Sequence, residues 1–224
     1  MNREEFLQHL ADENSLVGID LAGADLSNLN LAGYDLRHTN FRRADLRGTN
    51  LMGAEIQGAY FLSADLQNVN MVRANLQRAH FEGASLQGAN LEGAGFHKGH
   101  LCRTDFRSAN LQGADFTDAN LVQANFTGAN LQNTNFMEAD LQWVDFQYAD
   151  LRGASLAFAH LEGANLQGVD LRYTILETCL LGARLVEALF NDEDFEKLQG
   201  YLINSPTKVT PRKTEWGHLL EDSQ

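Results

Sequence analysis

Large apolar residues recur at every fifth position of this chain, from Leu16 to Leu181, in thirty-four consecutive positions that are all Leu, Phe, Ile or Met. A small residue, usually Ala, stands two places before each of them, and the residue between is most often Asp or Asn, as in Ala24-Asp25-Leu26 and Ala114-Asp115-Phe116. A period of five matches neither the 3.6 residues of an α-helix nor the 2 of a flat strand. On an α-helix, five residues advance about 500°, so the apolar residues would cover every face. A long helix is therefore excluded.

The pattern instead predicts a chain that turns a corner every five residues, with the large and the small residue pointing inward. Gly, Asn, Asp and Ser are frequent at the corners and suit turn conformations. Four such sides close a square coil of twenty residues, and successive coils would stack at about 4.8 Å. Steps of twenty residues place phenylalanines over phenylalanines, so we predict stacked rings in a core that contains Leu26, Phe41, Phe61, Phe81, Phe106, Phe126 and Phe146.

These blocks resemble the pentapeptide repeat family, whose motif is Ala, then Asp or Asn, then Leu or Phe, then two variable residues. The resemblance covers residues 16–183 in one register. It implies an all-β solenoid, a right-handed parallel quadrilateral β-helix of about eight coils with short helical caps. Tyr34 occupies a position where the motif has a small residue. We therefore expect the coil around Tyr34 to bulge.

Three segments follow from this pattern. Residues 1–15 are expected to form an N-terminal helical cap, residues 16–183 the pentapeptide-repeat β-helix, and residues 184–224 a C-terminal helical cap and tail. Caps are expected because the first and last coils of a β-solenoid expose unpaired backbone groups. The apolar residues that would face the solenoid are Phe6, Leu7 and Leu10 at one end and Leu185, Val186, Leu189 and Phe190 at the other.

The charge of the chain is strongly negative, with a formal net charge of −13. This argues against direct nucleic-acid binding and against an anionic membrane surface as partner. Residues 16–109 carry nine basic and nine acidic side chains, whereas residues 110–183 carry two basic and nine acidic ones, a net charge of −7. The solenoid is therefore expected to be neutral in its first half and acidic in its second.

The amino terminus lacks an apolar signal core, and no stretch approaches the roughly 20 apolar residues of a membrane span. A cytoplasmic protein is the expectation. Two cysteines agree with a reducing compartment, since Cys179 occupies an inward position and Cys102 an outward one, which disfavours a disulfide bridge between them.

Histidines offer the one constellation that resembles a metal site. His80, His100 and His160 share one column, and His97 and Cys102 lie near His100. Outward ligands on a flat β-face rarely converge on a tetrahedral centre. We therefore interpret these histidines as polar surface and expect neither a metal ion nor another cofactor.

Catalysis is not indicated. Asp or Asn recurs in most units, which is typical of a role in coil geometry, whereas an active site is a singular feature in a concavity. The serines have no nucleophile-elbow glycines around them, and no phosphate-binding glycine-rich loop with a lysine is present. We expect a protein that is not an enzyme.

Candidate contact residues are bulky or basic side chains at outward positions. Trp143, Tyr148, Phe158 and Tyr173 all lie two places after a central residue, where Gly is commonest. Arg42 and Arg43, with Arg37 and Arg47 beside them, form a basic patch that could face an anionic partner. Trp216 belongs to the tail, which would either fold back on the last coil or bind a partner.

Two functions remain open. The first is a non-catalytic scaffold that binds an unidentified protein partner through its flat outward faces. The second is implied by the resemblance: some family members mimic B-form DNA, dimerise at their carboxy-terminal end and bind type II topoisomerases such as gyrase, which protects the enzyme or modulates it. A homodimer through residues 184–224 would here place the two acidic halves at the centre.

Overall fold

The computed structural model of the chain describes residues 3–12, 16–176, 180 and 182–190. One helix, α1, spans Arg3–Asp12. The β-structure of the described residues consists of single-residue parallel bridges, from Asp20 paired with Asn40 to Asp170 paired with Leu189. Bridges recur every five residues along the chain and join residues one coil apart. The molecule is therefore a parallel β-helix with four short sides per coil.

Each unit combines one turn with hydrogen bonds to the coils on either side. In the unit around Phe41, the Ala44 N–H donates to the carbonyl of Phe41 at 3.0 Å, and Arg43 has φ of 57°. A four-residue turn with positive φ only at its third residue is a type II turn. The Phe41 N–H donates to the carbonyl of Tyr60 in the next coil at 2.7 Å. Most of the described units repeat these bonds, which pair their backbone N–H and C=O groups with the neighbouring coils.

The core is a continuous column of the central residues. Phe41, Phe61 and Phe81 are fully buried, and their rings stack with centroids 4.8 and 4.5 Å apart. Phe106 stacks on Phe126 at 4.8 Å, and Phe116 of the neighbouring side meets both edge-on, at 5.9 and 6.0 Å. The predicted phenylalanine stacks are confirmed. Leu26 and Phe146 are buried as well.

Five buried threonines occupy the small-residue position in place of Ala: Thr39, Thr49, Thr104, Thr134 and Thr174. Each hydroxyl donates to the carbonyl oxygen of a central residue of the previous coil, as Thr134 Oγ1 does to Leu111 at 3.0 Å. A hydroxyl is therefore tolerated in the core because it has a partner there.

The bulge expected at Tyr34 is not observed. The Tyr34 N–H donates to the carbonyl of Leu31 at 3.3 Å, and its own carbonyl accepts from the Glu55 N–H at 3.0 Å, as in the other units. The side chain is only partly buried and packs against the core from the rim. The ring therefore leaves the interior instead of widening it.

The repeat continues beyond residue 183, which corrects the expected start of the C-terminal cap. Leu185, Ala188 and Phe190 are buried in the coil pattern, and Leu189 is paired with Asp170. This pairing and that of Asn165 with Arg184 each span 19 residues, where the earlier bridges span 20. The Ala183 N–H donates to the carbonyl of Leu180 at 3.0 Å, so Leu180 acts as a central residue, one position before the five-residue period places it. Residues 184–190 are thus coil and not a helical cap.

Helix α1 covers the first coil and lies within the segment expected to form the N-terminal cap. Phe6 is fully buried against the solenoid. The Arg3 guanidinium donates to the Asp25 carboxylate at 3.2 Å and to the carbonyl of Ser27 at 2.9 Å. No helix within the described residues is long and apolar enough to cross a membrane. Residues 191–224, the rest of the expected C-terminal helical cap and tail, lie outside the described residues.

Candidate interaction surface

In several units, the outward side chain just before the central residue contacts the outward side chain just after it. In five units, the carboxylate of an aspartate just before the central residue accepts at least two hydrogen bonds from the guanidinium of an arginine just after it: Asp35 with Arg37, Asp45 with Arg47, Asp105 with Arg107, Asp150 with Arg152 and Asp170 with Arg172. Hydrogen bonding to the arginine holds the pKa of Asp35, Asp45, Asp150 and Asp170 below its usual range. These arginines are largely neutralised within their own unit.

The predicted basic patch is therefore reduced to Arg42 and Arg43. Both line an open groove of about 560 Å³ whose other walls are Ala22, Gly23, Asn40, Leu62 and Ser63. The Arg42 guanidinium also lies 5.1 Å from the ring centroid of Tyr60, a cation–π distance. The groove has the charge to attract an anion, but its openness leaves that attraction screened by solvent.

The four predicted outward aromatics form what we term the aromatic collar: Trp143, Tyr148, Phe158 and Tyr173. Each occupies a corner position with φ between 57° and 66°. Their exposed fractions are 63%, 61%, 61% and 78%, so all four project from the corners. They belong to four different corners and lie within 30 residues, which is one and a half coils. The collar therefore encircles the solenoid instead of following one face.

Two collar rings are held against the next coil. A Cβ built at Gly163 would lie 2.5 Å from the Trp143 ring, and one at Gly168 would lie 2.7 Å from the Tyr148 ring. Both glycines thus leave space that an aromatic ring fills. The positions one coil above Phe158 and Tyr173 lie outside the described residues, as does Trp216.

The collar lies in the acidic half of the solenoid. Asp150 and Asp170 are paired with arginines there, as described above. Asp140 and Asp145 instead accept hydrogen bonds from the backbone of their own turns, at 3.2 Å from Gln142 and 3.0 Å from Gln147. A backbone bond orients these carboxylates without cancelling their charge. Apolar rings are thus set in a negative field.

His80 and His100, which the sequence places in one column, make more side-chain contacts than the sequence indicated. The rings of His80 and His100 stack at 4.5 Å, and Tyr60 stacks on the other side of His80 at 4.9 Å. Glu82, which sequence reasoning missed, places a carboxylate oxygen 3.4 Å from Nδ1 of His80. The available signal was its spacing of two residues from His80, the same spacing that joins the aspartate–arginine pairs.

Two residues that the sequence grouped with this column have other partners. His97 lies 4.0 Å from Asp118, on a different side of the coil. The Cys102 thiol donates to the Asn120 side-chain oxygen at 3.0 Å, and burial raises the pKa of this free thiol.

Comparison with known protein families finds repeats within the same part of the chain. The family model for pentapeptide repeats in eight copies matches residues 19–58, 35–68 and 59–97, and the model for a pentapeptide repeat region matches residues 99–176. The chain belongs to the pentapeptide repeat family. No curated protein matches this pentapeptide repeat protein in sequence.

Solved structures of other pentapeptide repeat proteins share the fold. HetL from the cyanobacterium Nostoc sp. strain PCC 7120, described as involved in heterocyst differentiation regulation, is 24% identical with a TM-score of 0.51; the match covers 86% of this chain and 98% of HetL. QnrB1, a plasmid-mediated fluoroquinolone resistance protein, is 20% identical with a TM-score of 0.52, over 88% of this chain and 94% of QnrB1. The pentapeptide repeat protein described here is accordingly a right-handed quadrilateral β-helix.

Proposed function

We propose that the protein is a non-catalytic cytoplasmic scaffold that binds a protein partner through the aromatic collar. The observation that carries this proposal is the exposure of four large aromatic side chains at corner positions where Gly is the commonest residue. Aromatic residues are enriched in the energetically dominant positions of protein interfaces. The hydrogen-bonded coil backbone that carries them is already ordered, so a partner that binds here does not have to order a loop.

The charges around the collar define the partner that would fit. Asp140 and Asp145 lie in the same coil as Trp143 and Tyr148, and Glu162 lies in the next coil, where its carbonyl accepts from the Trp143 N–H at 3.0 Å. Negative potential favours a partner with basic side chains around an apolar patch and steers its encounter. The proposed partner is therefore a protein surface with Lys or Arg at its rim.

A non-catalytic role agrees with what the recurring carboxylates and amides do. Asp105 accepts a hydrogen bond from the Arg107 N–H at 3.0 Å, and Asn125 accepts one from the Thr127 N–H at 2.9 Å. The same bond recurs along the array and stabilises the turn that follows each central residue. Side chains engaged in this way serve the coil.

Affinity capture with matched variants tests the proposal. The bait is the full chain, and the variants are Phe158→Ala and Tyr173→Ala in the collar, with Met52→Ala as the control. Met52 is an outward apolar residue, 49% exposed, in the neutral half. A specific partner should be retained by the wild type and by Met52→Ala and lost by both collar variants. Equal retention by all four proteins would contradict the assignment of the collar.

The alternative function is DNA mimicry directed at a type II topoisomerase. The observation that favours it is the net charge of −7 over residues 110–183, which residues 16–109 do not share. If this holds, the protein inhibits supercoiling by gyrase or protects gyrase from a fluoroquinolone, and Asp140→Asn combined with Asp145→Asn weakens the effect. Asp20→Asn in the neutral half is the control. No effect of the wild type on supercoiling or on drug inhibition would remove this alternative.

The DNA-mimic function also requires a homodimer at the carboxy-terminal end. Light scattering of the full chain measures its mass in solution, with a shortened chain that ends at Phe190 as the comparison. A dimer that becomes a monomer when residues 191–224 are removed supports this alternative. A monomeric full chain favours the scaffold.

A further inference from the structure

Three side chains with metal-binding atoms meet on one outward face of the solenoid: His80, Glu82 and His100. One ligand atom from each lies within 4.8 Å of the others, and this is the one such group of three among the described residues. His80 and Glu82 are half-buried, and His100 is exposed.

The coil geometry produces this convergence. His80 and His100 are bridge partners in successive coils, so their side chains leave the backbone in parallel. Glu82 follows the central residue Phe81 and returns to the same outward side, as arginines do in the aspartate–arginine pairs. Tyr60 stacks beneath His80 and supports its ring. The three groups are therefore held together by the backbone register and not by a loop.

The Glu82 carboxylate is incompletely satisfied. Its Oε1 is 3.4 Å from Nδ1 of His80, whereas Oε2 is buried and has no hydrogen-bond donor among the described residues. A buried carboxylate oxygen without a donor costs free energy, more so because the group is charged. A cation bound between Glu82 and the two imidazoles would remove this cost.

We propose that His80, Glu82 and His100 form a binding site for a divalent transition-metal ion of the zinc class. Two imidazoles and one carboxylate are a common set of three protein ligands for Zn²⁺ and leave the fourth position to water. Calcium and magnesium prefer sites made of oxygen ligands and are not expected here. Cu²⁺ and Ni²⁺, which also bind imidazole, would compete with zinc.

The site requires a small adjustment to bind the ion. Zn–N bonds of about 2.1 Å in a tetrahedron place neighbouring ligand atoms about 3.4 Å apart, so side chains now within 4.8 Å must approach one another. The two imidazoles also lie nearly parallel, at 7°, and one of them has to turn to point its lone pair at the ion. His100 is exposed and can make this rotation between side-chain rotamers.

The chain contains a matched control four coils away. His160 and Glu162 repeat the spacing of His80 and Glu82, with Nδ1 of His160 3.9 Å from Oε1 of Glu162. Glu162 Oε2 is likewise buried without a donor among the described residues. The bridge partner of His160 is Asp140 in the previous coil, where His80 has Tyr60, and no third His, Cys, Asp or Glu among the described residues completes a group with this pair. This pair should bind zinc much more weakly.

Equilibrium dialysis of the tag-free full chain against micromolar free zinc, followed by metal analysis, tests the proposal. The wild type and His160→Ala should bind one zinc ion per chain. His80→Ala and His100→Ala should lower the affinity by more than about 100-fold, beyond the roughly 10- to 100-fold effect of residues that only orient ligands. Glu82→Gln, which keeps the shape and removes the charge, should lower it at least about 10-fold.

Thermal melting of each variant without metal serves as the fold control, and zinc should raise the melting temperature only where the site is intact. Absence of bound zinc in the wild type would overturn the proposal. So would equal affinity of His100→Ala and His160→Ala. If Glu82→Gln binds as tightly as the wild type, the assigned ligand set is wrong.

Discussion

The Trp143 ring lies against the backbone of Gly163 in the next coil, so closely that a Cβ on Gly163 would stand 2.5 Å from its Cε3 atom. Gly168 has the same relationship to Tyr148, and Gly58 has it to His38. The corner glycines therefore do more than permit a positive φ, because some also make room for the side chain one coil below. This distinguishes them from corner glycines that face open space.

Replacing Gly163 by Ala is expected to destabilise the protein through two effects. Its φ of 71° is unfavourable for Ala by about 1–2 kcal/mol. The added methyl group also meets the Trp143 ring, which has to move away from the backbone. The measurement is the melting temperature or the denaturant midpoint of Gly163→Ala.

Gly113→Ala is the matched control, since Gly113 has φ of 67° and no atom within 4 Å of a built Cβ. It should show the backbone effect alone and therefore a smaller loss. Combining Trp143→Ala with Gly163→Ala should recover the steric part of the loss. Equal destabilisation by the two glycine variants would show that the Trp143 ring moves away from the added methyl group without a measurable loss of stability.

The phenylalanine stacks should dominate the stability of the central coils. Phe116 is fully buried, stacks on Phe96 at 4.6 Å, and meets Phe106 and Phe126 edge-on. Phe116→Ala is expected to cost about 3–5 kcal/mol because it leaves a cavity in a closed core. Chemical denaturation followed by circular dichroism measures this loss.

Phe158→Ala provides the comparison, since this ring is 61% exposed. A surface substitution of this kind should change the free energy of unfolding by no more than about 0.5 kcal/mol. A large loss at Phe158 would mean that its ring packs on residues outside the described part of the chain. The affinity experiment on the collar would then need Tyr173→Ala alone.

The buried threonines allow the contribution of one hydrogen bond to be measured. Thr134→Val keeps the shape and removes the bond to the Leu111 carbonyl, and should cost about 0.5–1.5 kcal/mol. The carbonyl is not left orphaned, because the Ala114 N–H still donates to it at 3.0 Å. Thr134→Ser, which retains the hydroxyl, separates this bond from packing. Equal stability of Thr134→Val and wild type would show that the hydroxyl bond contributes nothing.

Acid should destabilise the protein through its aspartate–arginine pairs. Hydrogen bonds from Arg152 and Arg172 lower the pKa of Asp150 and Asp170 in the folded state below the unfolded value of about 3.9. The stabilisation is thus present above pH 4 and is lost as the pH falls through the lowered pKa values. The melting temperature of the wild type should therefore fall as the pH is lowered below about 4.

Asp150→Asn combined with Asp170→Asn isolates this effect. The variant should start with a lower melting temperature at neutral pH and lose less of it on acidification. Both pairs are partly exposed, so high salt should reduce the difference between the variant and the wild type. Parallel acid profiles for the two proteins would show that other carboxylates control acid unfolding.

The repeating pattern of the sequence predicted the core of the fold, but it did not predict the end of the array. The five-residue period was sufficient to assign Phe41, Phe61 and Phe81 to one buried stack, because identical units that close in four sides must bring every twentieth residue together. The end of the array was not predictable. Leu180 and Leu181 are both large and apolar, and the pattern alone does not determine which of them is the central residue.

For the candidate sites, the sequence predicted the position of each residue within its repeat unit but not the contacts of its side chain. Trp143, Tyr148, Phe158 and Tyr173 could be placed at corners from their position in the unit, and the structure finds all four exposed there. The pairing of Glu82 with His80 and the loss of Arg37 and Arg47 from the basic patch required side-chain positions. Both arise from the contact between residues on either side of a central residue, which a pattern of apolar positions does not describe.

The sequence by itself determined which residues face inward and that the coils close every twenty residues, since mainly apolar groups fill a dry interior and the five-residue period keeps them there. The tertiary structure decided which outward groups meet, where the register slips near Leu180, and which ring covers which glycine. The physical reason is that the inward pattern is enforced by burial at every unit. Outward contacts depend instead on side-chain rotamers and on the neighbour one coil away, which lies about twenty residues away in the chain.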